Sequence, residues 1–515
     1  MTLFRKCFVD VWKHDRCHRV VDLRGASQCR MILMRLWLLG FILSAGVAGA
    51  QQPKSTASYE VEVLGTAPLR IAVRATLLSD GALLTMADSR PGDVPEVADA
   101  GWPGLVRHLS VTDTEGRAVA VTGVGPRGWS LARPISGLLT LRYEIDYAPL
   151  ALRGWPAPRE AGFADADHLV VIGRSLFITT PAQHASEVRF VLPRGWRSAT
   201  PWPAVPGVRE SASVASSADL TENLVAFLRG APDVLTAGGF NLKVVALGHW
   251  QPARREIRRA LSVALLRLVA MVEFEGHAEY LVVLLPQAEF GGESFRASFA
   301  LMSEEAPSQA NVGRWGNIIA HEIFHYWNGW QLEGADYPSS QWFQEGFTEY
   351  AANIALVSAG LTRPDEFYGK LAYHVTNYRQ LATPLDAPGT HKGRPLYSGG
   401  ALVAFAWDAK IREATHCERG VGDVLRALLR ITGDGARQYE WSDIQLALES
   451  AAPGDWAEFH RRYIHGTETL PLAEAFARVG LRMSQGGDGA TRIEVDSAAS
   501  QTAQACRRAV MGGIR

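Results

Sequence analysis

Apolar residues recur along this chain with two periods, and the change from one to the other divides it. From Tyr59 to about Leu247 they alternate with polar residues in short runs bounded by Gly, Pro and Asp, which predicts strands over 59–63, 69–78, 139–147, 168–172, 187–192 and 240–247. The stretch Leu141-Arg142-Tyr143-Glu144-Ile145-Asp146-Tyr147 shows the alternation of a half-buried strand. An all-β, sandwich-like N-terminal domain is expected. Residues 254–273 then switch to helical spacing, with a basic first half that reads as a solvated face rather than a membrane-binding one. Two more runs, 279–286 (EYLVVLLP) and 294–302 (SFRASFALM), read as a buried strand and an alternating one. Helices follow at 400–415, 421–431, 442–451, 455–464 and 470–479, with Ser442 and Asp455 as caps. From Ser484 the chain turns glycine-rich and polar and reads as a loose tail.

Between these stretches lies a third pattern. Residues 311–320 end in Ile318-Ile319-Ala320 and run without proline into His321-Glu322-Ile323-Phe324-His325, which predicts one buried helix. The three-residue gap puts both imidazoles on one helical face, where they can hold one Zn²⁺ with Glu322 beside it as a base for water. A second helix is expected after the turn-like Gly334-Ala335-Asp336-Tyr337-Pro338-Ser339-Ser340, capped by Ser339 or Ser340. It carries Glu345 as a third ligand. Two histidines on an apolar helix with no metal would be buried polar groups needing partners, a cost that zinc removes. Glu349 follows Glu345 by one turn and is either a partner for the second ring N–H of His321 or His325, or a solvated glutamate. Asn328 is a further candidate for that partner.

Composition narrows the field. With 515 residues, 47% hydrophobic and 20% charged, the chain is long enough for two or three domains. A formal charge of −1, with no Lys/Arg cluster interleaved with aromatics, excludes a nucleic-acid partner. Met31 to Arg35 lead into an apolar run over 36–47 and then Ala48-Gly49-Ala50, a secretory signal peptide cleaved before Gln51. The run is short for a membrane span, so no stable insertion is expected after cleavage and the product is exported, periplasmic or secreted. Asp10, Asp15, Asp22 and three cysteines are foreign to a leader, and the true start is expected at Met31 or Met34. Two cysteines then remain, Cys417 and Cys506, which could pair in an oxidising compartment. Neither sits near the histidine motif, so a thiol nucleophile is not expected.

The blocks 321–328 (HEIFHYWN), 342–350 (WFQEGFTEY) and 397–405 (YSGGALVAF) resemble, in order, those of the glycyl aminopeptidases, a family of gluzincin zinc metallopeptidases. The resemblance implies a multidomain α+β protein. Its parts are a signal segment over 1–50, the β domain over 51–250, a thermolysin-like catalytic domain over 251–400, a helical subdomain over 401–483 and a flexible tail over 484–515, without the peptide-binding domain that family members often add. It implies His321, His325 and Glu345 as ligands to one Zn²⁺ per chain, and Glu322 as general base. Tyr397 matches the tyrosine that stabilises the oxyanion in related aminopeptidases; its alternative is packing at a helix start. Glu293, after Gly291-Gly292, is the expected anchor for the substrate's free amine, although the family carries one more residue there. The implied activity is removal of small N-terminal residues such as Gly or Ala from peptides or proteins. The alternatives are an endopeptidase using the same site and a non-catalytic peptide-binding scaffold.

Overall fold

The structure is a computed structural model that describes residues 57–66, 69–87, 101–152, 162–287, 290–387, 393–487 and 489–512. The expected signal segment and early start lie outside the described residues. All described residues belong to one compact unit, Ser55–Arg515.

The chain opens with β1 (Ala57–Thr66), β2 (Leu69–Thr85), β3 (Val106–Thr112), β4 (Val121–Gly123) and β5 (Gly128–Asp146). After β6 (Phe163–Ala164) and β7 (His168–Ile172) come β8 (Ser186–Val191), β9 (Trp196–Ala199), β10 (Ser211–Val214) and β11 (Leu224–Arg229). Among the described residues they form two sheets, one ordered β10-β8-β1-β2-β5-β3 with β4 also on β5, the other β6-β7-β11-β9. Period-two burial explains the packing: Leu69, Ile71, Val73, Ala75 and Leu77 of β2 all face one core. Buried phenols there are satisfied, Tyr59 donating to the Ile178 carbonyl at 2.8 Å and Tyr143 to that of Leu176 at 3.0 Å.

A third sheet runs β12-β13-β14-β16-β15, built from β12 (Asp233–Ala237), β13 (Phe240–Ala246), β14 (Ala278–Leu285), β15 (Gly291–Ser294) and β16 (Ser298–Met302). The strand expected over 240–247 joins this third sheet, antiparallel to β12 and parallel to β14. The helix α1 (Arg254–Val272) supplies the crossover that parallel strands need. The strand expected over 294–302 is a hairpin, β15 running antiparallel to β16 along the sheet edge. β14 explains its own unbroken apolar run. Tyr280, Val282 and Leu284 face the helices, while Leu281, Val283 and Leu285 join the core of the first two sheets.

Over the helical face lie α2 (Val312–Phe324), α3 (Tyr337–Ser358), α4 (Pro364–Tyr378) and α5 (Arg394–Ala414). The start of α3 departs from expectation: the helix begins at Tyr337 after Asp336, so Ser339 and Ser340 lie within its first turn rather than capping it, and Pro338 sits there at no cost because its missing N–H would be unpaired anyway. Helices α3 and α5 cross in close contact. A Cβ on Gly346 would lie 2.3 Å from the Gly400 Cα, and one on Gly400 would lie 1.9 Å from the Trp342 carbonyl. Then come α6 (Val421–Thr432), α7 (Trp441–Ala451), α8 (Trp456–Phe459) and α9 (Leu472–Arg478). Asp455 caps α8 as expected, accepting the Glu458 N–H at 2.9 Å. Ser442 lies inside α7, whose first turn is closed instead by Asp443 accepting the Glu440 N–H.

The expectation of a loose tail from residue 484 does not hold. β17 (Leu481–Gln485) and β18 (Thr491–Val495) form a hairpin around the glycine-rich turn, and α10 (Gln501–Met511) packs back onto the helical core. Its apolar anchors, Leu481, Ile493, Cys506 and Val510, are too widely spaced to register as a pattern. Cys506 is bonded to Cys417 just past the end of α5, across 89 residues. Closing a loop of that size stabilises by about 4–5 kcal/mol on the chain-entropy account. Urea unfolding of the Cys417→Ser, Cys506→Ser double variant should therefore show a loss of about 2–5 kcal/mol relative to the oxidised protein; an unchanged midpoint would mean that the clip is not formed in solution.

Candidate metal centre

Helix α2 delivers the motif already buried: His321 is 8% exposed and His325 4%. Leading into it, Ser308 and Asn311 form a reciprocal cap, the Ser308 N–H donating to Asn311 Oδ1 at 2.7 Å. Helix α3 brings Glu345 to the same point. His321 Nε2 and His325 Nε2 lie 3.1 Å apart, and Glu345 Oε2 lies 3.3 and 3.4 Å from them. Donors on a zinc ion at about 2.0–2.1 Å in a tetrahedron stand about 3.3–3.4 Å from one another. The three residues fit that ion by spacing and by chemistry, and together they form the group able to hold a metal among the described residues.

The far sides of the rings are engaged. His325 Nδ1 donates to the Asn328 carbonyl at 3.0 Å, and His321 Nδ1 to Glu349 Oε2 at 3.3 Å. With Nδ1 carrying the hydrogen in both rings, the two Nε2 atoms present lone pairs to each other and to a carboxylate oxygen. Such a cluster needs a cation or a proton at its centre. Burial alone would lower the pKa of His321, but its hydrogen bonds to Glu345 and Glu349 outweigh burial and raise it to about 10. For Glu345, burial pushes upward while the charge of His325 and bonds to both histidines win, holding the carboxyl far below its usual range.

Asn328 does a second job. Its side-chain amide donates to the Phe343 and Gln344 carbonyls at 3.2 and 3.0 Å and to Thr348 Oγ1 at 3.2 Å. One residue thus orients His325 through its backbone and pins α3, with Glu345, through its side chain.

Glu322 is buried on the same turn, facing β15. Burial raises its pKa, against the lowering charges of His321 and His325, and the Ser294 hydroxyl donates to it. Gly292 lies directly against it: a Cβ there would fall 2.4 Å from Glu322 Oε1. Tyr397, in the first turn of α5, stacks over His321 with ring centroids 6.1 Å apart and bonds to Glu345. Burial and then the charges of Glu345 and Glu322 keep its hydroxyl protonated. The crossing at Gly346 and Gly400 sets Tyr397 beside the zinc helices.

Glu293 is placed differently from the expectation. Gly292 and Ser294 pair with Leu301 and Phe299, on the helical side of the sheet, whereas Glu293 pairs with Ala300, which belongs to the core of the first two sheets. Because strand side chains alternate, Glu293 is directed to the face opposite Glu322. The same alternation puts Ser294 on the site's face, where its hydroxyl reaches Glu322. Ser294 and the α4 residues near Glu349 were not foreseen. For α4 a signal existed: Pro364-Asp365-Glu366 is a helix-start pattern, followed by Phe367, Leu371 and Val375 at helical spacing.

In the metal-free protein the raised His321 pKa contributes stability below about 6.5 that is lost as pH rises through about 10. The lowered Glu345 pKa contributes stability above 4.5 that is lost as pH falls. Zinc must displace the shared proton, so uptake at pH 7 should release about one proton per ion and tighten about tenfold per pH unit above neutrality. Calorimetry in buffers of different ionisation heat measures this directly; proton-neutral uptake would contradict the shared-proton cluster.

Residues 314–386, which take in most of the first zinc helix α2 and all of α3 and α4, match the M61 glycyl aminopeptidase family. No curated protein sequence matches the chain. Among solved structures, an aminopeptidase N family protein from Idiomarina loihiensis is similar over 83% of this chain and 79% of its own, at 17% identity and a TM-score of 0.67. An M1 zinc metallopeptidase from Deinococcus radiodurans is similar over 81% of this chain and 94% of its own, at 16% identity and a TM-score of 0.52. A mutant M1 zinc metallopeptidase from the same organism, bound to a Tyr-Ser-Ala substrate, covers the same shares at 14% identity and a TM-score of 0.52. At these identities the structural likeness speaks for the fold, and the family match speaks for the zinc segment. The chain is a zinc metallopeptidase on an aminopeptidase N-like fold, with a zinc segment similar to that of the M61 glycyl aminopeptidases.

Proposed function

We propose that this peptidase hydrolyses peptides laid along the edge strand β15, with His321, His325 and Glu345 holding one zinc ion and Glu322 acting as general base. The observation that carries the reading is the convergence of Glu322, Gly292 and the three donors on one point beside the strand that ends the sheet among the described residues. Backbone groups of β15 are suited to bind an extended substrate with little regard for side chains. A zinc ion held by these residues would supply Lewis acidity, polarising a bound carbonyl and acidifying water. Glu322 takes the proton of the attacking water and returns it to the leaving amine. The protonated Tyr397 hydroxyl donates to the oxygen on which negative charge develops.

Removal of small N-terminal residues, Gly or Ala, is the exopeptidase form of this reading and follows the M61 likeness. One observation favours a second form, cleavage that does not require a free amine: the carboxylate of Glu293 is directed to the other face of the strand. An intact Glu322 with a complete donor set argues against a non-catalytic scaffold. Export through the segment ending at Ala50 belongs to the same reading, supported by the Cys417–Cys506 bond, a feature of oxidising compartments. No described helix is long and apolar enough to cross a membrane.

Metal analysis and hydrolysis of paired free and acetylated peptides test this. Wild type should hold one zinc, Glu322→Gln should keep the zinc and lose at least about a hundredfold in kcat, and Tyr397→Phe should lose about ten- to a hundredfold with KM little changed. Equal rates on free and acetylated peptides would establish the second form, whereas a strict free-amine requirement would establish the first. Activity retained in Glu322→Gln would overturn both. N-terminal sequencing of protein recovered outside the cytoplasm should begin at Gln51.

A further inference from the structure

On α4, behind the metal centre, His374 is 3% exposed and takes no direct part in the site described above. We propose that His374 is a positioning residue that ties the carboxylate behind His321 to the helix turn carrying Tyr397, so that zinc ligand and oxyanion donor hold a fixed spacing. The proposal rests on the zinc and Tyr397 reading above.

Its two ring nitrogens reach the two arms of the site. Nδ1 lies 3.1 Å from the hydroxyl of Ser398, the residue after Tyr397 and itself 1% exposed. Nε2 faces Glu349 Oε1 at 3.6 Å and has no hydrogen-bond partner of its own. The other oxygen of that carboxylate accepts from His321. A hydroxyl can donate or accept, whereas a carboxylate only accepts, so the arrangement that satisfies all three groups puts the hydrogen on Nε2 and lets Ser398 donate to Nδ1. The Nε2 gap closes to hydrogen-bond length with a few tenths of an ångström of movement by Glu349.

The electrostatics support the same tautomer. Burial lowers the pKa of His374 to about 4, against the pull of Glu349 and with a further push from Lys370. The ring is therefore neutral near pH 7 and offers one directed N–H. Lys370, half exposed, stands 4.0 Å from Glu349 Oε1, and Asn353 donates to that oxygen at 3.1 Å. Glu349 is held ionised: burial raises its pKa, but the His321 bond and the charge of Lys370 outweigh burial and hold the carboxyl below its usual range. A histidine present only to fill space would have no reason to aim its one unpaired nitrogen at the carboxylate that orients a zinc ligand.

The test compares His374→Phe, which keeps a ring but offers no N–H, with His374→Gln, which keeps an N–H, and with His374→Ala. Zinc affinity by chelator competition is read separately from turnover. In His374→Phe zinc should bind about tenfold or more weakly, with kcat reduced and KM within about twofold of wild type, and His374→Gln should restore most of both. Ser398→Ala should lower kcat and leave zinc affinity unchanged, since it loosens the Tyr397 arm alone. A folded His374→Phe that binds zinc as tightly as wild type overturns the inference. If His374→Phe does not fold, a Gln variant no better than the Ala variant overturns it. Wild type that holds no zinc sinks the metal reading itself, whereas zinc-tight wild type with zinc-tight His374→Phe sinks this inference alone.

Discussion

Three acceptor atoms, His321 Nε2, His325 Nε2 and Glu345 Oε2, stand within 3.4 Å of one another in a buried place. Left to themselves they repel, and the rest of the catalytic half is built so that they cannot separate. Asn328 holds one ring by its carbonyl and the opposing helix by its amide. Glu349 fixes the other ring. Two glycines let α3 and α5 touch backbone to backbone, which leaves α3 no room to retreat from α2. The repulsion that a cation relieves is thus stored in the packing, and in the metal-free state a proton occupies that role.

Much of this was legible in the sequence, and the reasons differ by element. The strands of the first two sheets announce themselves because one face is buried and the other is not, so alternation survives in β2 and β5. The zinc helices are legible because ligand chemistry demands a fixed spacing on a helix: Glu345 was read from the motif, Glu349 from its place one turn later and Tyr397 from the likeness of its block, and all three stand close to His321. Boundaries were harder. A strand carries no mark of the sheet it will join: β13 pairs with β12 just before it and with β14, which lies beyond a helix of nineteen residues. The C-terminal hairpin and α10 were invisible because their anchors are few and a covalent bond shares the task of holding them.

The edge strand teaches a narrower point. Glycines and a glutamate in β15 suggested an amine anchor, yet a strand reads in twos, and a shift of one residue exchanges the two faces. In β15 the register turns Ser294 toward the site and Glu293 toward the other core. Register, which pairing with β16 fixes, decides what a substrate meets.

β14 stands in both cores at once, with alternate residues given to each. Its outer face completes a core whose first strand begins more than two hundred residues earlier in the chain. An emerging chain therefore cannot finish its N-terminal sandwich as that sandwich leaves the ribosome; it must wait, partly open, for the central sheet of the catalytic half. Until β14 has been made, the early strands keep part of their apolar surface exposed, and the longer that interval the greater their exposure to chaperones and to aggregation.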